Sequence, residues 1–237
     1  LNAVTAAMAC TSLIAGKKAT ADGSVIVTYN ADAYVLYGEL YHTEAADHKK
    51  GEMLKVYEWD TNEYRGEIEQ VEHTYATVGN INEHQLCIVE STWDNRKELQ
   101  DTTAIIDYGS LIYITLQRAR TAREAIGVMT SLVEKYGYYS GGESFTIADP
   151  NEVWIMEMVS KGMKEKGAVW VAIRIPDDCI AAHANQSRIH HIPFDDKDNC
   201  LYSPDVVSFA RKMGYFEGKD NDFSFSKAYA QRDRKSV

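Results

Sequence analysis

Between Leu111 and Val133 the apolar residues recur at helical spacing with charges between them, while the runs on either side alternate as strands do. Leu111, Ile114, Thr115 and Arg118 mark a first helix at about 108–119; Ala122, Ala125, Ile126, Met129, Leu132 and Val133 mark a second at about 122–136. Thr121 with Glu124 forms a capping-box pair at the start of the second helix, and Gly137 closes it as a C-cap. A chain that runs strands, two helices, strands is predicted to be α+β.

The downstream strands come in pairs. Ser144–Ala148 and Val153–Met158 alternate around Asp149-Pro150-Asn151-Glu152, a turn with Pro at its second position as type I turns favour. Val169–Ile175 and Cys179–Ala184 flank Pro176-Asp177-Asp178 and read as a second hairpin, so the helices are expected to cover one face of a four-stranded antiparallel sheet. Upstream, Thr11–Ala15 and Val25–Tyr29 form a hairpin through Ala21-Asp22-Gly23-Ser24, where glycine supplies the positive φ of the turn. Tyr34–Tyr41 reads as an aromatic strand or site wall, and Met53–Trp59, Thr74–Val78 and Leu86–Glu90 as further strands. Ser203-Pro204 is an N-cap and N1 proline opening a helix to Met213.

Composition narrows the function classes. A net charge of −10 with no basic stripe argues against a nucleic-acid partner. No run approaches a membrane span. The four cysteines (Cys10, Cys87, Cys179, Cys200) contain no CxxC pair, so neither a zinc site nor a thioredoxin motif is indicated. His183, His190 and His191 do not form a metal set, because adjacent histidines in a strand point to opposite faces. No metal and no cofactor is expected.

The chemistry centres on Cys10. It follows Ala7-Met8-Ala9, a small-x-small pattern of the kind a signal peptidase cuts after. Residues 1–9 are therefore read as the remnant of a signal or pro-segment and residues 10–237 as one domain. The last residues, Gln231–Val237, end inside a helix-like stretch, so the domain is expected to be incomplete at its C-terminus. A cut before Cys10 places an α-amine of pKa about 7.7–8.0 beside a thiol of about 8.5, a base and a nucleophile in one residue. Two blander readings stand beside it: a buried small hydrophobe, or a lipobox cysteine, against which Ala7 stands where an aliphatic is usual. Asn82 and Asn185 each lie where a turn meets a strand and offer NH₂ groups to a carbonyl oxygen, though loop asparagines are usually turn residues. Asp32 can orient the Cys10 amine across the hairpin or be an ordinary strand-end carboxylate. Glu143, after Gly141-Gly142, reads as a loop carboxylate that meets a substrate amine or faces solvent.

A resemblance gathers these residues. Cys10-Thr11-Ser12, Gly16-Lys17-Lys18-Ala19, Ala21-Asp22-Gly23-Ser24 and Tyr29-Asn30-Ala31-Asp32 resemble the start of the C69 family of cysteine dipeptidases. Gly79-Asn80-Ile81-Asn82-Glu83-His84, Glu90-Ser91-Thr92, Gly142–Pro150, Glu152–Glu157 and Ala182–Ile189 agree with it. These are N-terminal-nucleophile hydrolases related to bile salt hydrolase and penicillin V acylase. The resemblance implies an αββα sandwich of antiparallel sheets flanked by helices. It implies Cys10 as nucleophile, Asp32 holding the new amine, and Asn82 and Asn185 at the oxyanion. Tyr29, Asn30 and Glu143 are the substrate-binding candidates. Tyr29 departs from the pattern, standing where acylase relatives carry an arginine; Gln85 stands where they often have glycine.

The implied function is hydrolysis of dipeptides through a thioester. The alternatives are an amidase or acylase on N-acyl amino acids or bile-salt-like conjugates, and a non-catalytic surface lipoprotein acylated at Cys10. The expected partner is a small peptide substrate, with a homo-oligomer left open. Localisation is secreted or periplasmic if Asn2–Ala9 ends a signal peptide, and otherwise cytoplasmic.

Overall fold

The computed structural model describes residues 9–32 and 40–231. In chain order the first half forms β1 (Ala9–Ala15), β2 (Ile26–Asp32), β3 (His42–Thr43), β4 (Ala46–Asp47), β5 (Met53–Tyr57) and β6 (Tyr64–Glu69). It continues with β7 (His73–Thr74), β8 (Thr77–Val78), β9 (Ile81–Asn82), β10 (Cys87–Trp93), α1 (Tyr108–Leu116) and α2 (Ala122–Tyr136). The second half forms β11 (Gly142–Ala148), β12 (Val153–Ser160), β13 (Ala168–Arg174), β14 (Ile180–Ala184), β15 (Cys200–Tyr202), α3 (Val206–Lys212) and α4 (Phe225–Tyr229).

Two antiparallel sheets place the site. One has eight strands in the order β15-β13-β12-β11-β10-β9-β8-β3; the other has three, β14-β1-β2. Pleating sends alternate residues of the large sheet to opposite faces. Ile88, Phe145, Ile147, Trp154, Met156 and Met158 take one face and pack with buried residues of α1 and α2. The opposite face is covered in part by the small sheet, where Ile14 meets Ala148 and Val153. The rest of it lies under α3 and α4, around Val159, Val171, Phe209 and Tyr229.

The helices begin where their caps dictate. The Asp107 carboxylate accepts the N–H groups of Gly109 and Ser110 at 2.8 and 3.0 Å, opening α1. Thr121 accepts the Glu124 N–H at 3.2 Å and opens α2. Gly137 ends α2 at φ 79°, and a Cβ there would lie 2.8 Å from that of Ala104.

Four expectations are corrected. Cys179–Ala184 forms no hairpin with Val169–Ile175: β13 pairs with β12 and β15, while β14 crosses to pair with β1. The Pro176–Asp178 turn is the corner, captured by the end of β1 through Gly16 N–H to Cys179 O (3.0 Å) and Lys18 N–H to Asp177 O (2.8 Å). Gly16 is needed there, because a Cβ would sit 2.5 Å from the Asp177 carbonyl oxygen. The helix after Ser203-Pro204 begins at Val206, since Ser203 Oγ accepts the Trp170 N–H at 3.3 Å instead of capping. The strand expected at Thr74–Val78 is two short ones, β7 and β8, with the Tyr75 N–H given to Gln117 O at 2.9 Å between them. The first helix stops at Leu116, where the N–H groups of Arg118 and Ala119 both turn back to Thr115 O. Of the Tyr34–Tyr41 expectation, residues 34–39 lie outside the described residues, as do residues 1–8 and 232–237.

Candidate active site

Cys10 sits on the inward side of β1. Ser12 and Ile14, two and four residues on, are buried, whereas Thr11 and Leu13 are exposed. The register sets Cys10 opposite Ala31 of β2 and Ala9 opposite Asp32. Its backbone N–H donates to Asn185 Oδ1 at 2.8 Å. Asn185 follows directly on β14, and its Nδ2 donates to the Thr92 carbonyl at 2.7 Å, tying β1 to β10. β9 pairs with β10 only at Cys87, so the strand beyond is free to receive these contacts.

The polar layer between the sheets is specific. His183, buried on β14, shares one hydrogen bond with Ser91 Oγ through Nδ1 (2.7 Å) and another with Thr146 Oγ1 through Nε2 (2.6 Å). Burial lowers its pKa to about 4, which keeps the ring neutral and rules it out as a charged partner for the thiol. Glu157 on β12 is also buried and accepts from Ser187 Oγ at 2.5 Å, from Ile189 N–H at 3.2 Å and from the Arg188 N–H. It anchors the segment that follows Asn185.

Around the sulfur the charges are acidic. Cys10 Sγ lies 3.9 Å from both Tyr29 Oη and Glu90 Oε1, and Tyr29 Oη donates to that same carboxylate oxygen at 2.7 Å. Burial, then the Glu90 charge, push the thiol up to about 11; the Tyr29 hydrogen bond pulls it down, and Glu143 and Asp32 add to the rise. On β11, Glu143 stands directly opposite Thr92, whose hydroxyl donates to Glu143 Oε1 at 2.8 Å. Glu90 is two residues before Thr92 on the same face, within hydrogen-bonding reach of Glu143. Burial and then the Glu90 charge hold the Glu143 carboxyl well above the usual range.

The residues singled out from the sequence divide. Cys10, Asn185, Tyr29 and Glu143 come together. Asp32 and Asn30 lie on β2 beside them, Asn30 Nδ2 donating to Asp32 Oδ1 at 2.5 Å. Glu143 is corrected from loop to strand and from solvent-facing to buried. Asn82 is not brought to the thiol: its Nδ2 donates to the carbonyls of Leu116 and Ala119, both at 2.7 Å. Its Oδ1 accepts the N–H groups of His84 and Leu86 at 3.0 and 3.1 Å. Both N–H donors are committed to the end of α1, and neither faces an oxyanion. The residue missed was Glu90. Its signal was a lone carboxylate directly after the apolar stretch Leu86–Val89, within a strand, a position where an unpaired charge is costly.

The chain belongs to Peptidase family C69, whose family model matches residues 45–237. It is similar to a probable dipeptidase of Latilactobacillus sakei, 29% identical over 250 residues that cover 95% of this chain and 50% of the relative. A probable dipeptidase of Salmonella dublin is 28% identical, with 96% of this chain and 54% of the relative covered. A probable dipeptidase B of Streptococcus pyogenes serotype M3 is 25% identical, covering 93% and 46%. The chain thus spans about half the length of the curated relatives it matches. The family match begins downstream of Cys10, Tyr29 and Asp32, which stand on the geometry above.

Proposed function

We propose that this chain carries the nucleophile half of a cysteine dipeptidase that matures by loss of the residues before Cys10. The observation that carries the reading is the grip of Asn185 on the Cys10 backbone nitrogen at 2.8 Å, beside the half-buried sulfur. A cut between Ala9 and Cys10 turns that amide nitrogen into a primary amine without moving it. Asp32, in register with Ala9, then lies next to the new terminus. The amine takes the thiol proton, directly or through a water, and the thiolate attacks the carbonyl of a short peptide. Asn185 Nδ2 donates one N–H to Thr92 and has a second for the oxyanion, a donor typically worth a few kcal/mol. The amine protonates the leaving group, and water hydrolyses the thioester. Asn82 serves this step only by holding its turn against α1, as its hydrogen bonds are spent.

The two packed sheets with helices on the outer face of the larger one support the N-terminal-nucleophile sandwich, and the names of the relatives support dipeptides as substrates. If a signal peptidase makes the cut after Ala9, the mature enzyme works outside the cytoplasm. The test is maturation of the full chain followed by intact-mass measurement and dipeptide hydrolysis. A free N-terminal cysteine whose replacement by Cys10→Ala abolishes turnover supports the reading. A diacylglyceryl adduct on Cys10, or full activity in both Cys10→Ala and Cys10→Ser, overturns it.

A further inference from the structure

Glu90 and Glu143 present a problem that the hydrolytic step does not use. They are 4% and 1% exposed and stand on adjacent strands, diagonal to each other on one face. Among the described residues neither forms an ion pair. Each has one oxygen, Oε2, that is buried without a donor. Two buried carboxyl groups with no cation are expensive unless a proton or a cation lies between them. Nearby, the phenol of Tyr29 is already bonded to Glu90 Oε1. As a base for the thiol the pair works the wrong way, since an anion beside Cys10 opposes thiolate formation. In the empty site the raised Glu143 carboxyl keeps a proton toward Glu90, and a cation that arrives with something else can take that proton's place.

Resting on the reading above, we propose that Glu90 and Glu143, with Tyr29, seat the α-ammonium group of the peptide whose first carbonyl is attacked by Cys10. In an amino-terminal residue the α-nitrogen and the carbonyl carbon are two bonds apart, about 2.5 Å. A sulfur poised for attack stands roughly 3–3.5 Å from that carbon. An acceptor within hydrogen-bond reach of the ammonium therefore falls within about 9 Å of the sulfur, and Glu90 Oε1, at 3.9 Å, lies inside that reach. The ammonium supplies the missing donors to the Oε2 atoms and cancels the charge that holds the thiol proton on. Substrate binding then arms the nucleophile. An N-acylated peptide brings an amide in place of the cation and leaves the carboxylates uncompensated, so the same site rejects it. The seat separates a dipeptidase from an acylase.

The test measures kcat/KM on alanyl dipeptides and their N-acetyl counterparts in the matured full chain, in Glu90→Gln, Glu143→Gln and Tyr29→Phe, and in Cys10→Ala as reference. The parent is expected to prefer the free amine by roughly 10⁴–10⁵-fold, the discrimination of a site whose buried groups are otherwise left unpaired. Glu90→Gln is expected to reduce that preference by at least tenfold through loss of the free-amine rate, and Tyr29→Phe to reduce it less. If Cys10→Ala silences both substrates while the preference survives in Glu90→Gln and Glu143→Gln, the seat lies elsewhere and only this inference falls. If Cys10→Ala retains activity, the nucleophile reading falls first. Should both glutamine variants fail to fold, inhibition of the parent by alaninol and by N-acetylalaninol decides. Selective inhibition by the free amine supports the seat; equal inhibition overturns it.

Discussion

Tyr29 and Glu90, on different sheets and 61 residues apart, are joined by a 2.7 Å hydrogen bond that ends on the carboxylate oxygen nearest the Cys10 sulfur. The phenol faces both groups, so it tempers the charge that opposes the thiolate while lying 3.9 Å from the sulfur itself.

With Ala9 still attached, the Cys10 thiol is expected to be sluggish at neutral pH and to gain reactivity only as pH approaches 11. Glu90→Gln removes a charge that raises its pKa and should speed alkylation at pH 8; Tyr29→Phe removes the bond that lowers it and should slow alkylation. Iodoacetamide labelling read by peptide mass spectrometry, which separates Cys10 from the exposed Cys179, checks both signs.

Asn82 and Asn185 should part company under mutation. Asn82→Ala leaves two buried carbonyls and two N–H groups without partners, a loss of roughly 2–4 kcal/mol in stability by denaturant unfolding. Asn185→Ala frees the Cys10 nitrogen and should cost far more in kcat than in stability.

His183 makes the fold acid-sensitive. Its pKa falls from 6.5 to about 4 in the native state, so between these values the unfolded chain binds more protons and stability drops as pH falls. The full effect is about 3 kcal/mol, present above pH 6.5 and gone below pH 4. Urea midpoints at pH 7 and pH 5 should fall more steeply in the parent than in His183→Gln, which lacks the titration.

The alternation of β1 can be tested by a pair. Ile14→Ala opens a hole between the sheets and should cost roughly 2–4 kcal/mol. Leu13→Ala, one residue away and 54% exposed, should change stability by less than about 0.5 kcal/mol. Thermal melts of the two variants decide it.

Local signals were legible in the sequence and long-range ones were not. Thr121, Gly137 and the spacing from Ala122 to Val133 placed α2 at both ends, because caps and period act within a few residues. Cys179–Ala184 was recognisable as a strand, but its partner was chosen by backbone groups at Gly16 and Lys18 that no local pattern announces. Gly141-Gly142 made Glu143 look like loop; in the fold, Gly142 is the place where Trp93 packs so closely that a Cβ would meet its ring at 2.4 Å. Cys10 stood out by the Ala7-Met8-Ala9 pattern before it and Asn185 by its place where a turn meets a strand, and linked blocks of resemblance gave both their roles. Asn82 shared those blocks, and its saturation is a property of α1, which the motif does not contain.

The crossing of β14 also fixes when the site comes into being. The hydrogen bond from Cys10 to Asn185 spans 175 residues, and β1 gains its second neighbour only through β14. Loop closure over that distance is slow compared with forming the local hairpins β1-β2 and β11-β12. On a ribosome the first hairpin emerges early and waits, its cysteine without Asn185 or the polar layer around His183. Only after Asn185 has left the tunnel can the sulfur be set in place, so the nucleophile waits on a residue 175 positions downstream of it.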